Sequence, residues 1–235
     1  MPADFAYGLL QKKIPQIARI KVYGVDGPWH NGKARGVAVD TVEATNVSWR
    51  LQPVSLITGR AVVDLHFQLV DSDFDCRIRA RRGKLDLDDL QAQFPATLLT
   101  KVLPDMYAVP LGGLIRVAVN KVKIRDGLVA LAEGRIVWTG AETTSEPQVR
   151  FGDLTVDIAT SEQGVTAILT DSGGPLAAEG ALIVSPDGKY SFTGNFSVRD
   201  KEQTALVDAL SLLGRPAADG SMGVNFSGEV GRVLF

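Results

Sequence analysis

Apolar and polar residues alternate along much of this chain, and the clearest example lies between residues 190 and 198. Every second residue there is Tyr, Phe or Val except for Gly194, and the residues between them are Ser, Thr or Asn. A period of two predicts a β-strand with one buried face. The turn sequence Ser185-Pro186-Asp187-Gly188 precedes it, and an apolar run at 176–184 precedes the turn. Together they predict an antiparallel hairpin.

The same alternation recurs along the chain and predicts about a dozen short strands. Besides the hairpin, they are expected near residues 17–25, 34–40, 42–51, 63–69, 74–80, 84–87, 112–124, 128–139, 149–160, 164–170 and 222–230. A change of phase near Asn120 indicates a bulge. Such closely spaced strands indicate a mostly β fold. We expect a long, twisted and curled antiparallel sheet, either an open barrel or groove-like, with two or three short helices.

Helical spacing is confined to a few segments. Residues 2–13 predict a short amphipathic helix, and residues 96–102 predict a second one. Residues 200–213 predict a third, which would end at Gly214. The segment 53–59 is too short and too apolar for a solvated loop, so we expect a helical turn that is tucked against the sheet.

Length, charge and cysteine content limit the possible functions. The chain has 235 residues, with 25 Lys and Arg against 27 Asp and Glu, which gives a net charge of −2. This balance offers no electrostatic basis for binding nucleic acid. One cysteine and two histidines leave no disulfide framework and little material for a metal site. We predict one domain, 1–235, with an N-terminal helix at 1–14 and sheet portions at 15–124 and 125–235.

Candidate chemistry is sparse. Asp71, Asp73 and Asp75 resemble the opening of a calcium loop, but Cys76 and Arg82 stand where that loop needs Gly and Glu. No phosphate-binding loop, nucleophile elbow or zinc-protease motif is present in the sequence. Cys76 alternates with apolar residues, so we expect it to pack as a small apolar side chain. The sequence therefore predicts a non-enzymatic protein without a catalytic site, a metal or a cofactor.

A basic stripe is the one charged feature that suggests a contact surface. It consists of Arg77, Arg79, Arg81 and Arg82, which lie in and just after a predicted strand. Such a stripe can contact an acidic protein partner or lipid head groups. The alternative is a mixed, solvated sheet face in which nearby aspartates neutralise the arginines.

Two stretches near the start go beyond general β patterning. Residues 27–32 read GPWHNG, and residues 49–60 read WRLQPVSLITGR. Their order and spacing resemble the motifs G-T-x-W-x-G and W-x-L-x-P-x-x-L-x-x-G-R of the type II secretion system protein N family. The last third is similar to the family as well, around residues 174–175, 186–190 and 214–216. The first motif departs from the family pattern because Pro28 directly follows Gly27.

The resemblance implies a set of structural motif residues rather than catalytic ones. They are Trp29, Gly32, Trp49, Pro53, Gly59, Arg60, Gly174, Pro175, Pro186, Gly188, Tyr190, Gly214 and Pro216. The two tryptophans each combine a large apolar body with one N–H donor, which suits them to closing the end of a sheet.

The resemblance also implies location and function. Family members begin with one inner-membrane helix, and this sequence has none, so we expect the periplasmic portion of an inner-membrane-anchored protein. The implied function is that of a non-enzymatic accessory or scaffold in the export of folded proteins across the outer membrane. Its partners would be the inner-membrane platform or the periplasmic part of the secretin.

A rival hypothesis follows from the predicted sheet itself. A curled sheet with one continuous apolar face and few covering helices could bind a lipid or another hydrophobic ligand in a groove. An open, apolar-lined groove would favour this hypothesis, and a filled interior would exclude it.

Overall fold

The computed structural model describes residues 20–39, 42–102, 110–200, 203–211, 217 and 219–231. Within these residues the chain forms thirteen strands, numbered in chain order. They are β1 (Ile20–Asp26), β2 (Asn31–Val39), β3 (Val42–Leu51), β4 (Ala61–Leu69), β5 (Ser72–Arg81), β6 (Lys84–Pro95), β7 (Leu111–Arg125), β8 (Leu128–Thr143), β9 (Arg150–Ser161), β10 (Gly164–Asp171), β11 (Leu176–Val184), β12 (Lys189–Val198) and β13 (Met222–Glu229).

Three short helices accompany the strands in the described part of the chain. They are α1 (Pro53–Ile57), α2 (Thr97–Val102) and α3 (Thr204–Ser211). The predicted helix at 2–13 lies outside the described residues, as do the last residues of the predicted helix at 200–213.

All thirteen strands belong to one sheet in which each strand pairs with the next along the chain. Every pairing is antiparallel. The sheet is open, with β1 at one edge and β13 at the other. The predicted fold class, a long antiparallel sheet with few helices, is confirmed.

Cross-strand register places the apolar positions of successive strands on one face. The longest row crosses ten strands from β4 to β13 and contains only apolar residues and glycine. In order, it is Phe67, Phe74, Ala92, Val117, Ile136, Val156, Leu169, Gly180, Gly194 and Val224. We call this side of the sheet the apolar face. The alternation in the sequence produces it because side chains one residue apart point to opposite faces.

The meander separates its connections into two ends. Those at 27–30, 52–60, 82–83, 126–127, 162–163 and 185–188 lie at one end, which we call the α1 end. The connections that carry α2 and α3 lie at the opposite end, which we call the α3 end. Both buried clusters involve the helices of the α3 end: Leu98 of α2 packs with Phe94 and Ile115, and Leu206 and Leu210 of α3 pack with Leu176.

The strand predictions are largely confirmed, with informative differences. The register shifts between Val119 and Lys121, where the bulge was predicted. Strand β6 is longer than predicted and continues to Pro95, because Asp89 adopts a φ of 54° and lets the chain change phase without leaving the sheet. The helical turn at 53–59 exists, but its predicted position against the sheet is wrong: α1 contains no buried residue.

Candidate functional site

The motif residues of the N-terminal half meet at the α1 end. Trp49 lies on β3 opposite Gly32 of β2. Its indole N–H donates a hydrogen bond of 2.9 Å to the carbonyl oxygen of Trp29. A side chain at position 32 would overlap the indole ring, so only glycine allows this close approach. The indole therefore ties the β1–β2 turn to β3, directly before the chain enters α1.

The same corner holds α1 in place. The Leu51 N–H donates to His30 O at 2.7 Å, and the Gln52 N–H donates to Val62 O at 2.9 Å. Pro53 occupies the start of α1, where its missing N–H costs no helical hydrogen bond. Gly59 then adopts a φ of +68°. This left-handed conformation turns the chain back towards β4 and favours glycine.

The apolar side chains of α1 are exposed to solvent. Val54 is 75% exposed, Ile57 is 86% exposed and Leu56 is 43% exposed. The helix is fixed at both ends by backbone hydrogen bonds, including one from the Arg60 N–H to Ser55 O at 3.1 Å. An apolar segment is thus presented to solvent on a supported turn.

The basic stripe divides into two parts in the structure. Arg77 pairs with Asp64 at 2.6 Å, and Arg79 pairs with Asp88 at 2.7 Å. The hydrogen bond and the charge of Asp64 raise the pKa of the Arg77 guanidinium. Arg81 lies opposite Lys84 across the β5–β6 hairpin, and neither forms an ion pair with a described residue. Arg82 in the turn is likewise without an ion pair among the described residues. The free charge of the stripe therefore lies at the α1 end.

The motif residues of the C-terminal third hold the ends of two hairpins. At 185–188, the Gly188 N–H donates to Ser185 O at 2.9 Å and thereby closes the turn that contains Pro186. At the opposite end, the carbonyl oxygen of Gly174 accepts a hydrogen bond of 2.6 Å from the guanidinium of Arg199. The carbonyl oxygen of Pro175 accepts one of 3.0 Å from the Arg199 N–H. Gly214 and Pro216 lie outside the described residues.

Arg199 also pairs with Asp171 at 2.6 Å, and this pair was not found from the sequence. Burial by itself would raise the pKa of Asp171. Hydrogen bonds from the N–H groups of Ala178 and Gly173, together with the Arg199 guanidinium, outweigh burial and hold this pKa below its ordinary value. The pair ties the end of β12 to the β10–β11 connection. The 28-residue separation in sequence gives no signal for it.

An apolar groove of about 440 Å³ lies on the C-terminal part of the apolar face. Phe192 and Phe226 stack in it with ring centroids 4.8 Å apart, and Tyr190 meets Phe226 edge-on at 6.2 Å. Phe226 stays 52% exposed. The lining is otherwise aliphatic and consists of Val156, Ala167, Leu169, Leu182, Val184 and Val230. By contrast, Phe196 at the α3 end packs against the cluster that α3 completes.

A polar depression of about 570 Å³ lies in the N-terminal half, and its ionisable side chains include Lys33, Arg50, Asp64, His66 and Asp75. His66 Nδ1 lies 2.9 Å from Asp75 Oδ1. Within the described ranges, no group of three or more His, Cys, Asp or Glu side chains is arranged to hold a metal ion.

Cys76 also borders the polar depression. Its thiol is partly buried, and burial raises its pKa, which the carboxylate of Asp75 raises further. A raised pKa makes the thiol less nucleophilic at neutral pH. The structure thus brings together charged side chains here without an activated nucleophile among them.

Comparison with known proteins identifies the family. The family model described as "Type II secretion system (T2SS), protein N" matches residues 18–225. This chain belongs to that family. It is also 22% identical over 238 residues to "Type II secretion system protein N" of Vibrio cholerae serotype O1, and the match covers 98% of this chain and 91% of the relative. The family resemblance drawn from the motifs at 27–32 and 49–60 is therefore confirmed.

No solved structure gives a significant match to this chain. Within its described part, the chain contains no helix with the length and apolar character that a membrane span requires. Family membership makes the protein a component of the type II secretion system. The family's motif residues at 27–32 and 49–60 are those that build the corner carrying α1.

Proposed function

We propose that this protein is a non-enzymatic periplasmic scaffold of the type II secretion system, acting in the export of folded proteins across the outer membrane. Membership in the protein N family supports the assignment to this secretion system, and the form of the sheet supports the role of a scaffold. Thirteen strands in one open sheet give a long, stiff element with two strand edges. Its partners are other secretion components, namely the inner-membrane platform or the periplasmic part of the secretin.

The edge strand β13 is the observation that carries the proposed role. In the described part of the chain no strand pairs with its outer side. Its sequence, MGVNFSGE, has no Lys, Arg or Pro, and its register with β12 shows no bulge. Basic residues, proline and bulges are the usual means by which proteins protect an edge. An edge without them suits the addition of a strand from a partner protein.

In vivo photocrosslinking tests this proposal, with a photoreactive amino acid placed at Ser227 on β13. Ser191 is the matched control, because it lies directly opposite Ser227 on β12 and is also exposed. An added strand would lie about 5 Å from β13 but about 10 Å from β12. We expect adducts to secretion components at Ser227 that are weak or missing at Ser191. Equal labelling of the two positions by protein partners would contradict strand addition.

The groove on the apolar face supports a second candidate function, the binding of a lipid or another hydrophobic ligand. Its volume of about 440 Å³ falls in the range of ligand sites, and the hydroxyl of Tyr190 is the one side-chain polar group among its lining residues. The comparisons with known proteins support a component of the type II secretion system and do not favour this alternative. A photoreactive residue at Phe226 separates the two: adducts to phospholipid alone, with none to secretion components at Ser227, would replace the scaffold proposal with the groove.

A further inference from the structure

Helix α1 carries the two most exposed large apolar side chains among the described residues. Val54 and Ile57 are 75% and 86% exposed, and they lie on a turn that hydrogen bonds hold at both ends. A flexible loop could bury such side chains by collapsing onto the sheet. This corner cannot do so easily, because the Trp49 indole and the backbone bonds of Leu51 and Gln52 fix its position. Adjacent apolar side chains held in solvent indicate a contact surface.

Basic side chains surround this corner. Ala61 of β4 pairs with Ala80 of β5. Arg60 directly precedes Ala61 and Arg81 directly follows Ala80, so these two arginines lie beside each other at the ends of the two strands. Arg82 and Lys84 belong to the β5–β6 hairpin. Arg50 is the last exposed residue of β3 before the chain enters α1. None of these five forms an ion pair with a described residue, and all are exposed. Two carboxylates lie near them: Asp126, whose Oδ1 would lie 2.9 Å from a Cβ at position 83, and Asp64, which lies opposite Arg50 and pairs with Arg77.

The combination distinguishes between possible partners. The apolar groups of protein-binding hot spots are mainly Trp and Tyr and pair with pockets on the partner, whereas the apolar side chains that project here are aliphatic. Aliphatic side chains beside unpaired cations match the surface of a bilayer, where the acyl region takes the apolar groups and anionic head groups attract the cations. The exposed cations also exclude a dry, self-complementary contact between copies, because like charges would meet.

We propose that the α1 corner is a membrane-contact site, in which Val54 and Ile57 enter the interface of a bilayer and Arg60, Arg81, Arg82 and Lys84 bind anionic phospholipid head groups. The corner docks the sheet reversibly on a membrane surface. The contact is independent of strand addition at β13, which lies at the far edge of the sheet.

Vesicle flotation with the purified chain tests the proposal. The protein should float with vesicles of phosphatidylethanolamine and phosphatidylglycerol, and not with phosphatidylcholine alone. Because each basic residue near an anionic surface contributes about 1 kcal/mol, R81E/R82E should lower binding at least about fivefold per position. Added salt should weaken binding of the wild type through screening. The variant V54S/I57S should lower binding about tenfold by removing apolar area from the interface.

Two matched controls accompany these variants. R116E/R150E produces the same change in net charge on exposed arginines away from α1. I168S removes the aliphatic side chain of Ile168 on β10, and this side chain is 41% exposed. Both should bind vesicles as the wild type does. Thermal unfolding checks that V54S/I57S and R81E/R82E stay folded, which their exposure predicts.

Three outcomes would overturn the proposal. They are failure of the wild type to float with anionic vesicles, equal loss of binding in R116E/R150E, and full binding by V54S/I57S. If the corner instead contacts a secretion component, V54S/I57S will lose a crosslinked protein partner while its vesicle binding is unchanged, which also rejects the membrane site. These measurements use the chain alone, so their result does not depend on the crosslinking at Ser227.

Discussion

Helices α1 and α3 have similar apolar content but opposite surroundings. Helix α3 covers part of the apolar face, and its Leu206 and Leu210 are 1% and 8% exposed. Helix α1 contains no buried residue at all. Both helices lie at an end of the same sheet, α1 at one end and α3 at the other. Packing next to this sheet therefore does not by itself explain why α3 is partly buried and α1 is exposed.

The connection that precedes each helix explains it. Arg199 ties the end of β12 to the carbonyl oxygens of Gly174 and Leu176, and α3 begins five residues later over the cluster that contains Leu176. At the α1 end, the Trp49 indole and the backbone of Leu51 keep the chain at the ends of the strands and off the apolar face. Apolar composition therefore does not decide burial here. Burial is decided by the hydrogen bonds that set the direction of the segment before each helix.

The largest expected effect is at Leu206. Leu206→Ala should lower the free energy of unfolding by about 2–5 kcal/mol, because it removes buried apolar area and leaves a cavity. Chemical denaturation measures this value. Val207→Ala is the control on the same helix, since Val207 is 40% exposed and should lose much less. Equal losses for the two variants would show that α3 does not cover the apolar face as described.

A smaller loss is expected at Gly32, which supports the α1 end. Gly32→Ala should cost about 1–3 kcal/mol, since the added methyl group overlaps the ring of Trp49. Gly223→Ala serves as the comparison, because no atom lies within 4 Å of a Cβ there. The midpoint of urea unfolding reports both. A Gly32 variant as stable as the wild type would mean that the corner is not held by this contact.

The pH dependence of the free energy of unfolding tests the contact of Asp171 with Arg199, which precedes α3. The pKa of Asp171 in the folded state is lowered, so its carboxylate stabilises the fold above the ordinary pKa, and this contribution is lost as pH falls through the folded-state pKa. Asp171→Asn should therefore lower stability by about 1–2 kcal/mol at neutral pH. The difference from the wild type should shrink as the pH becomes strongly acidic. A difference that is constant with pH would show that the carboxylate charge is not involved.

The smallest effect is expected at Ile57, although its side chain is as apolar as that of Leu206. Ile57→Ala should change the free energy of unfolding by less than about 0.5 kcal/mol, as for an exposed surface position. Thermal and urea unfolding of this variant beside Leu206→Ala make the direct comparison. A loss of 2 kcal/mol or more would place Ile57 in a packed environment and remove the contrast between the two helices.

The sequence predicted the elements better than their surroundings. The hairpin at 176–198 was predicted well, because residues 190–198 alternate apart from Gly194 and the turn contains Pro186 and Gly188. The exposure of α1 was not predicted, since an apolar segment normally indicates burial. The Asp171–Arg199 pair was also missed, because only the register of β10, β11 and β12 brings these residues together.

The candidate sites show the same division. The motifs at 27–32 and 49–60 indicated the family, but they did not reveal that they build one corner around α1. The basic stripe was visible in the sequence, but not that Arg77 and Arg79 form ion pairs while Arg81 and Arg82 have none with a described residue. The roles of the motif residues as structural anchors, and of the arginines as a contact surface, stay predictions.

By itself, the sequence determined a chain of antiparallel strands with one apolar side, because strand alternation and turn residues act over a few neighbouring positions. Only the tertiary structure decided which parts of that apolar side are covered. Coverage depends on where distant hydrogen bonds direct the connecting segments, as Arg199 does before α3 and Trp49 does before α1. For this reason the apolar groove at Phe192 and Phe226 and the exposed α1 corner emerge from the fold rather than from the order of residues.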